Sequence, residues 1–317
     1  MGIVVTGTLG YDYIMDFPGK FADRIMPDKI HKISLSFLVD KLNKQMGGTA
    51  GNIAYSLNLL KISPTILAPA GNDFAPYRKF LLKNKIPTNH IKTYPDVATG
   101  SYFVVTDQDD NQIGSFYAGA AKYTSSLRIA NVAPKPNFAI LAPTDPLAML
   151  IFAKECQELN IPYLFDPAFQ IESFDKRDLL DAISHAQIFV GNDYEISLVE
   201  KKLSLTHVQL TKAVPILITT LGARGSTIES LGKNMHINPA KPQNISDPTG
   251  AGDAFRSGFV AGYLRGLDLQ TCGQMGSVAA VYTVEKYGTT THHYSLGSFI
   301  FRYKQNFGDA PHLSEIF

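Results

Sequence analysis

The chain has 317 residues, 45% of them hydrophobic and 18% charged, with a formal net charge of +1. That balance excludes a disordered chain and gives no electrostatic reason to expect a nucleic-acid or anionic-membrane partner; the length suits one large α/β domain. The two cysteines, Cys156 and Cys272, have no metal-ligand spacing and no disulfide framework, and no run of 18 apolar residues or signal-peptide pattern is present. These features predict a reducing, cytoplasmic setting.

Residues 2–7 form a β-branched run ending at glycine, which predicts a buried first strand. Met1-Gly2 with Thr6 also fits a myristoylation pattern, but a buried strand is the better reading. Asp12 follows Gly7 by five residues, at the strand edge where open α/β sheets bind ligands; locally it also reads as a turn residue. Residues 30–39 alternate apolar and polar side chains, predicting a half-exposed strand outside the main sheet. Gly47-Gly48-Thr49-Ala50-Gly51-Asn52 opens a helix with Ile53, Ala54, Leu57 and Leu60 on one face. A strand over 64–70, a helix over 74–84 and a hairpin of 99–106 with 112–117 follow. Apolar runs at 138–141, 161–165, 188–190 and 216–220 then alternate with helical patterns near 146–159, 176–184, 193–202 and 205–213. Continuous apolar strands alternating with helices imply a parallel sheet covered on both faces.

Three motifs lie at strand or helix ends. Asn192-Asp193-Tyr194-Glu195 follows a strand, and as a bare pattern it is a helix N-cap with Glu at the third position. Thr220-Leu221-Gly222-Ala223-Arg224-Gly225 ends the next strand in a glycine turn; Arg224 there reads as solvated. Asp247-Pro248-Thr249-Gly250-Ala251-Gly252-Asp253 precedes a small-residue helix over 254–264. Free N–H groups feeding a helix N-terminus attract anions, so a carboxylate at Asp253 looks misplaced unless it takes a proton from a hydroxyl that attacks a bound phosphate. There is no Rossmann fingerprint after the first strand, which disfavours a nucleotide-dependent oxidoreductase, and no Walker A motif. The eight histidines show no metal pattern, and His292-His293 reads as surface or loop.

In this order the motifs resemble those of the ribokinase-like (pfkB-type) carbohydrate and nucleoside kinases, along nearly the whole chain. The resemblance implies a single kinase domain over residues 1–317. Its fold would be a three-layer α/β/α core, mostly parallel, with a small β-sheet lid whose strands lie near 30–40 and 97–118. It implies ATP as phosphoryl donor, Asp253 as general base, and the N–H groups of Gly250, Ala251, Gly252 and Asp253 as an anion hole. Asp12, Gly48 and Asn52 would bind sugar hydroxyls. Asn192, Thr220, Gly222 and Gly225 would hold the nucleotide, with adenine flanked by residues 238–245 and 284–291. Glu195 would organise Mg²⁺ through water, and Asp247 with Gly288 would form a monovalent-cation (K⁺) site. The segments 46–55 and 97–121 look like the adenosine and nucleoside kinase branch, with Phe116 or Phe169 available to stack on a purine. The implied activity is phosphorylation of a nucleoside 5′-hydroxyl, adenosine first. A sugar kinase and a non-catalytic nucleoside-binding protein on the same fold are the alternatives. The expected partners are small molecules, with the chain a monomer or a homodimer through the lid.

Overall fold

The computed structural model describes residues 2–26, 32, 34–109, 111–309 and 313. Strand β1 (Ile3–Thr6) lies inside a large sheet, and the chain then leaves for a smaller one through β2 (Gly10–Asp16) and β3 (Lys41–Gly47). Helix α1 (Thr49–Leu59) returns it to β4 (Pro64–Ala70), and α2 (Ala75–Lys83) leads to the short strand β5 (Ile91–Thr93). The hairpin β6 (Gly100–Thr106) and β7 (Gln112–Tyr117) completes the small sheet. Strand and helix then alternate: β8 (Phe138–Leu141), α3 (Pro146–Glu158), β9 (Tyr163–Phe165), α4 (Lys176–Ser184), β10 (Ile188–Asn192), α5 (Asp193–Leu203), α6 (His207–Ala213) and β11 (Ile216–Thr220). The hairpin β12 (Ser226–Ser230) and β13 (Lys233–Ile237) precedes three helices, α7 (Ala251–Tyr263), α8 (Leu269–Val284) and α9 (Leu296–Phe307).

The large sheet has nine strands in the order β13-β12-β11-β10-β9-β8-β1-β4-β5. Pairing is parallel from β5 to β11 and antiparallel across β11, β12 and β13. The period-2 alternation of the strands sorts their side chains into two cores. Ile3, Val5, Ile140, Leu164, Ile188, Val190, Ile216 and Ile218 point to one core, shared with α1, α2, α7, α8 and α9. Val4, Ala139, Leu141, Phe165, Phe189 and Leu217 point to the other, under α3 to α6. Helices therefore cover both faces. The winding reverses at β1, which pairs with β4 on one side and β8 on the other. Crevices open at the C-terminal ends of strands at such a switch point.

The small sheet has the order β3-β2-β6-β7. This corrects the expected strand near 30–40. Residues 30, 31 and 33 lie outside the described residues; residues 34–39 are described and are not in a strand. The alternation there reflects Phe37, which packs against Phe17 and Phe21 with ring centroids 4.9 Å away in each case. The pairing strand is β3, whose Lys41, Asn43, Lys44 and Gln45 read as polar because that segment is exposed on much of both faces. Strand β2 was not expected, because Gly10–Asp16 follows β1 with only a three-residue break.

Helices α7 and α8 pack closely because small residues face each other. A Cβ at Gly258 would lie 2.5 Å from the Met275 carbonyl oxygen and 2.8 Å from Gly276 Cα. Backbone cannot yield as a side-chain tip can. Gly258→Ala is expected to destabilise the protein by about 2 kcal/mol through overpacking, read as a lower urea midpoint at unchanged m-value. An unchanged midpoint would show that the helices separate freely.

Candidate active site

Helix α7 begins at the glycine loop itself, three residues earlier than the expected residue 254. Gly250 is its N-cap in the left-handed region (φ 80°), and no side chain caps the helix. The first-turn N–H groups therefore lack intrahelical acceptors. One expected anion-hole donor is already used: the Ala251 N–H donates to the Pro248 carbonyl at 3.1 Å. Gly250, Gly252 and Asp253 remain as the loop's candidate donors. Asp247 braces the loop from below. Its Oδ1 accepts the Thr249 N–H at 2.9 Å and its Oδ2 accepts the Gly288 N–H at 3.1 Å. These contacts explain Asp247 and Gly288 as a loop-to-loop tie; Gly288 contributes a donor to it, so the cation reading rests on resemblance alone.

Asp253 is 7% exposed. Helix α1 lies alongside α7, and Ser257 Oγ donates to the Asp253 carbonyl at 2.7 Å and to the Ile53 carbonyl at 3.2 Å. This packing brings Asn52 to the carboxylate, where Asn52 Nδ2 donates to Asp253 Oδ2 at 2.9 Å. Asn52 Oδ1 is buried with no partner among the described residues, an acceptor lacking its donor. Arg256, one turn on, donates through Nη1 to Asp253 Oδ1 at 3.0 Å. Its Nη2 lies 2.5 Å from Asp166 Oδ2. Asp166, just after β9, is wholly buried, and its contact with Arg256 is an ion pair.

Asp12 lies on β2, not in a turn after β1, and its strand pairs with both β3 and β6. Burial, reinforced by the charges of Asp247 and Asp253, pushes its carboxyl up to about 6. Burial likewise raises Asp253, opposed by the Arg256 charge and the Asn52 hydrogen bond. Asp166 is pushed up to about 7 by burial against the attraction of Arg256, with Glu195 and Asp253 adding repulsion. Burial works against the charge on Arg256, but Asp166, Asp253 and Glu195 outweigh it and its pKa rises. Gly48 caps α1 at φ 85°, and a Cβ there would meet the Thr8 carbonyl oxygen at 2.5 Å, so glycine is required where α1 starts beside β2.

A second group sits at the ends of β10 and β11, where Asn192 and Thr220 are paired. Asn192 and Glu195 do form a reciprocal capping box: Asn192 Oδ1 accepts the Glu195 N–H at 2.8 Å, and Glu195 Oε2 accepts the Asn192 N–H at 2.7 Å. Gly222 and Gly225 bound the following turn at φ 59° and 87°. Arg224 is exposed, as expected, and also pairs with Asp193 across the two strand ends at 2.6 Å. The Glu195 carboxylate, whose Oε2 also accepts the Asn192 N–H, is a hard oxygen ligand of the kind that suits Mg²⁺, which uses few carboxylates and keeps several waters. Among the described residues no group of three or more His, Cys, Asp or Glu could by itself hold a metal ion. Phe116 stands apart. By register it follows Tyr102 and Asp12 across the small sheet, two strands and about 10 Å from Asp12. It is exposed, as is Phe169.

Sequence reasoning missed Arg256 and Asp166. The visible signal was a charged residue three positions after Asp253, inside a helix otherwise of small and apolar residues. His292 also differs from expectation: it is 1% exposed, within 3.4 Å of Ser56 Oγ and 3.3 Å of Thr283 Oγ1. Burial lowers it to about 4, so it is a neutral packing residue. Both cysteines are buried and free. Among the described residues no helix is long and apolar enough to cross a membrane.

A buried carboxylate inside a helix N-terminus, at the C-terminal edge of an open α/β sheet, suits phosphoryl transfer. The chain belongs to the pfkB family of carbohydrate kinases, whose family model matches residues 17–294. It is similar to the nucleoside kinase of Methanothermobacter thermautotrophicus, with 31% identity over 313 residues covering 98% of this chain and 97% of the relative. The structure is similar to that of Burkholderia thailandensis nucleoside kinase in complex with inosine, with TM-score 0.89, 30% identity and coverage of 98% and 99% of the two chains. The same enzyme in complex with ADP and inosine gives TM-score 0.87 at 31% identity, covering 98% and 97%. The fold is accordingly ribokinase-like: a mostly parallel sheet between helices, with a second small sheet.

The raised Asp12 carboxyl has a consequence for stability. A carboxyl whose folded pKa exceeds its unfolded value stabilises the fold below the unfolded pKa, and that contribution is lost as pH rises through the folded pKa. For Asp12 the window runs from 3.8 to about 6. In the ligand-free protein, Asp12→Asn should gain on wild type by on the order of 2 kcal/mol between pH 4 and pH 7, measured by urea unfolding. A difference independent of pH would contradict the burial of that charge.

Proposed function

We propose that the protein is an ATP-dependent nucleoside kinase that phosphorylates the 5′-hydroxyl of a purine nucleoside, with adenosine the preferred acceptor. The observation that carries this reading is the placement of Asp253. It is buried at the anion-binding start of α7, held by Asn52 and Arg256, and close enough to Asp12 for the two charges to interact. The similarity to nucleoside kinases over the full chain supports the acceptor class.

In this reading Asp12 accepts hydrogen bonds from ribose hydroxyls, and the unpartnered Asn52 Oδ1 accepts another. Gly48 lets the sugar approach the backbone. Asp253 takes the proton of the 5′-hydroxyl as that oxygen bonds to the γ-phosphorus and the bond to the β-phosphate oxygen breaks, releasing ADP. The N–H groups of Gly250, Gly252 and Asp253 hold the charge on the transferring phosphoryl. Positioning and electrostatics of this kind supply most of phosphoryl-transfer catalysis. Asn192, Thr220, Gly222 and Gly225 hold the rest of ATP. Mg²⁺, held near Glu195 through water, would neutralise charge on the ATP phosphates. The small sheet acts as a lid that excludes water as a competing acceptor, and Phe116 on its edge offers a face for the base.

The lid's far side also supports self-association. Tyr13 and Phe103 stack there with centroids 4.7 Å apart, and Leu42 and Ile113 are exposed on the same face. We propose a homodimer through this face. Sedimentation should give a dimer for wild type and a monomer for Leu42→Glu with Ile113→Glu; a wild-type monomer at tens of micromolar removes the proposal.

Asp253→Asn should bind adenosine within about threefold of wild type by calorimetry and lose roughly 100-fold or more of kcat. Turnover at the wild-type rate would remove Asp253 as the base.

A further inference from the structure

Asp253 must present one oxygen to a hydroxyl, yet a carboxylate on a short side chain can rotate about its last bond. Three features oppose that rotation. Asn52 approaches Oδ2 from α1, at 2.9 Å. Arg256 approaches Oδ1 from the same helix, at 3.0 Å. Arg256 is in turn pinned by Asp166, which extends from the end of β9 and is 0% exposed. The guanidinium is planar and offers separate nitrogens to the two carboxylates, Nη1 to Asp253 and Nη2 to Asp166, a division that a lysine ammonium cannot reproduce. Its side chain is only 14% exposed. It lies close to Gly252, where a Cβ would be 3.3 Å from Arg256 Nη1 and 3.8 Å from Cζ. The guanidinium thus packs against the glycine loop at Gly252.

We propose that Arg256 is a positioning residue for phosphoryl transfer: anchored by Asp166, it fixes the plane of the Asp253 carboxylate so that Oδ2 meets the acceptor hydroxyl. Arg256 acts through Asp253 and does not touch the acceptor. The inference rests on the kinase reading above. The ionised state of Asp253 depends on the same contact. Its charged surroundings are Arg256 on its own helix, Asp12 on β2 and Asp166 after β9, with Glu195 on α5 beyond Arg256 and Asp166; the neutral Tyr77 on α2 also faces it. Only Arg256 among these is a cation.

The test is a double-mutant cycle in the full chain, with Arg256→Met and Arg256→Lys made in wild-type and Asp253→Asn backgrounds. Arg256→Met should lower kcat about 100-fold, leave the adenosine KM within about threefold, and move the acid limb of the kcat profile to higher pH, because the carboxylate has lost its cation. Arg256→Lys should recover the pH profile more than the rate, since it restores charge without the fork. In the Asp253→Asn background, Arg256→Met should change the residual rate by less than about threefold, because residues acting as one unit are not additive. Removing Arg256 leaves Asp166 buried and uncompensated, so Arg256→Met with Asp166→Asn provides a second route to a folded variant, with the same loss of kcat expected. Equal losses in both backgrounds, or wild-type kcat and pH profile in Arg256→Met, would overturn the inference. A wild-type protein that transfers no phosphoryl to any acceptor would instead overturn the kinase reading beneath it.

Discussion

The site depends on the packing of α7 against α1. Asn52 and Asp253 are 201 positions apart in the chain, and their side chains meet because the two helices lie side by side. That contact is possible because α7 presents the small Ser257 and Gly258 where its neighbours come closest, while Phe255 and Phe259 are buried elsewhere on it. Ser257 donates to backbone of both helices, and Gly258 lets α8 approach from the other side. The small residues after the glycine loop are therefore part of the site. They set where the first turn of α7 points, and with it the first-turn N–H groups and the carboxylate among them.

The charge pattern follows from this packing. Asp12, Asp166 and Asp253 are drawn together with one buried guanidinium, and burial raises all three carboxyls. An ion pair in low dielectric costs more to desolvate than a surface pair, and removing one partner leaves an uncompensated charge. The arrangement is thus a poor source of stability, and it suits the proton and phosphate chemistry proposed for the site. The capping box of Asn192 and Glu195 is different. It satisfies backbone donors at a helix start whatever ligand is present, and its possible metal role is additional to that.

Much of the core was legible in the sequence because its strands are apolar runs between helices of clear period. The strands at 64–70, 138–141 and 216–220 and the helix at 176–184 lie where the pattern puts them. The small sheet was harder to read. Its strands are exposed on much of their surface, so β3 reads as a polar segment while the nearby alternating residues 34–39 serve an aromatic cluster. The motif residues were legible as types, since Asp253, Asn52 and Asp12 each stand out against glycine or apolar neighbours. Their partners were not. Nothing local says that Asn52 turns its amide to Asp253, that Ala251 spends its N–H on Pro248, or that Asp166 anchors Arg256. Those are long-range or loop-geometry facts, fixed by how the helices pack.

The role proposed for Asp253 is phosphoryl transfer to a nucleoside. Its most direct test is ADP release from Mg-ATP with purified protein and a panel of adenosine, guanosine, inosine, cytidine, ribose and fructose. Strong turnover is expected with purine nucleosides, adenosine first, and little with ribose or fructose. Preference for a free sugar, or no turnover with any acceptor while ATP still binds, would contradict it.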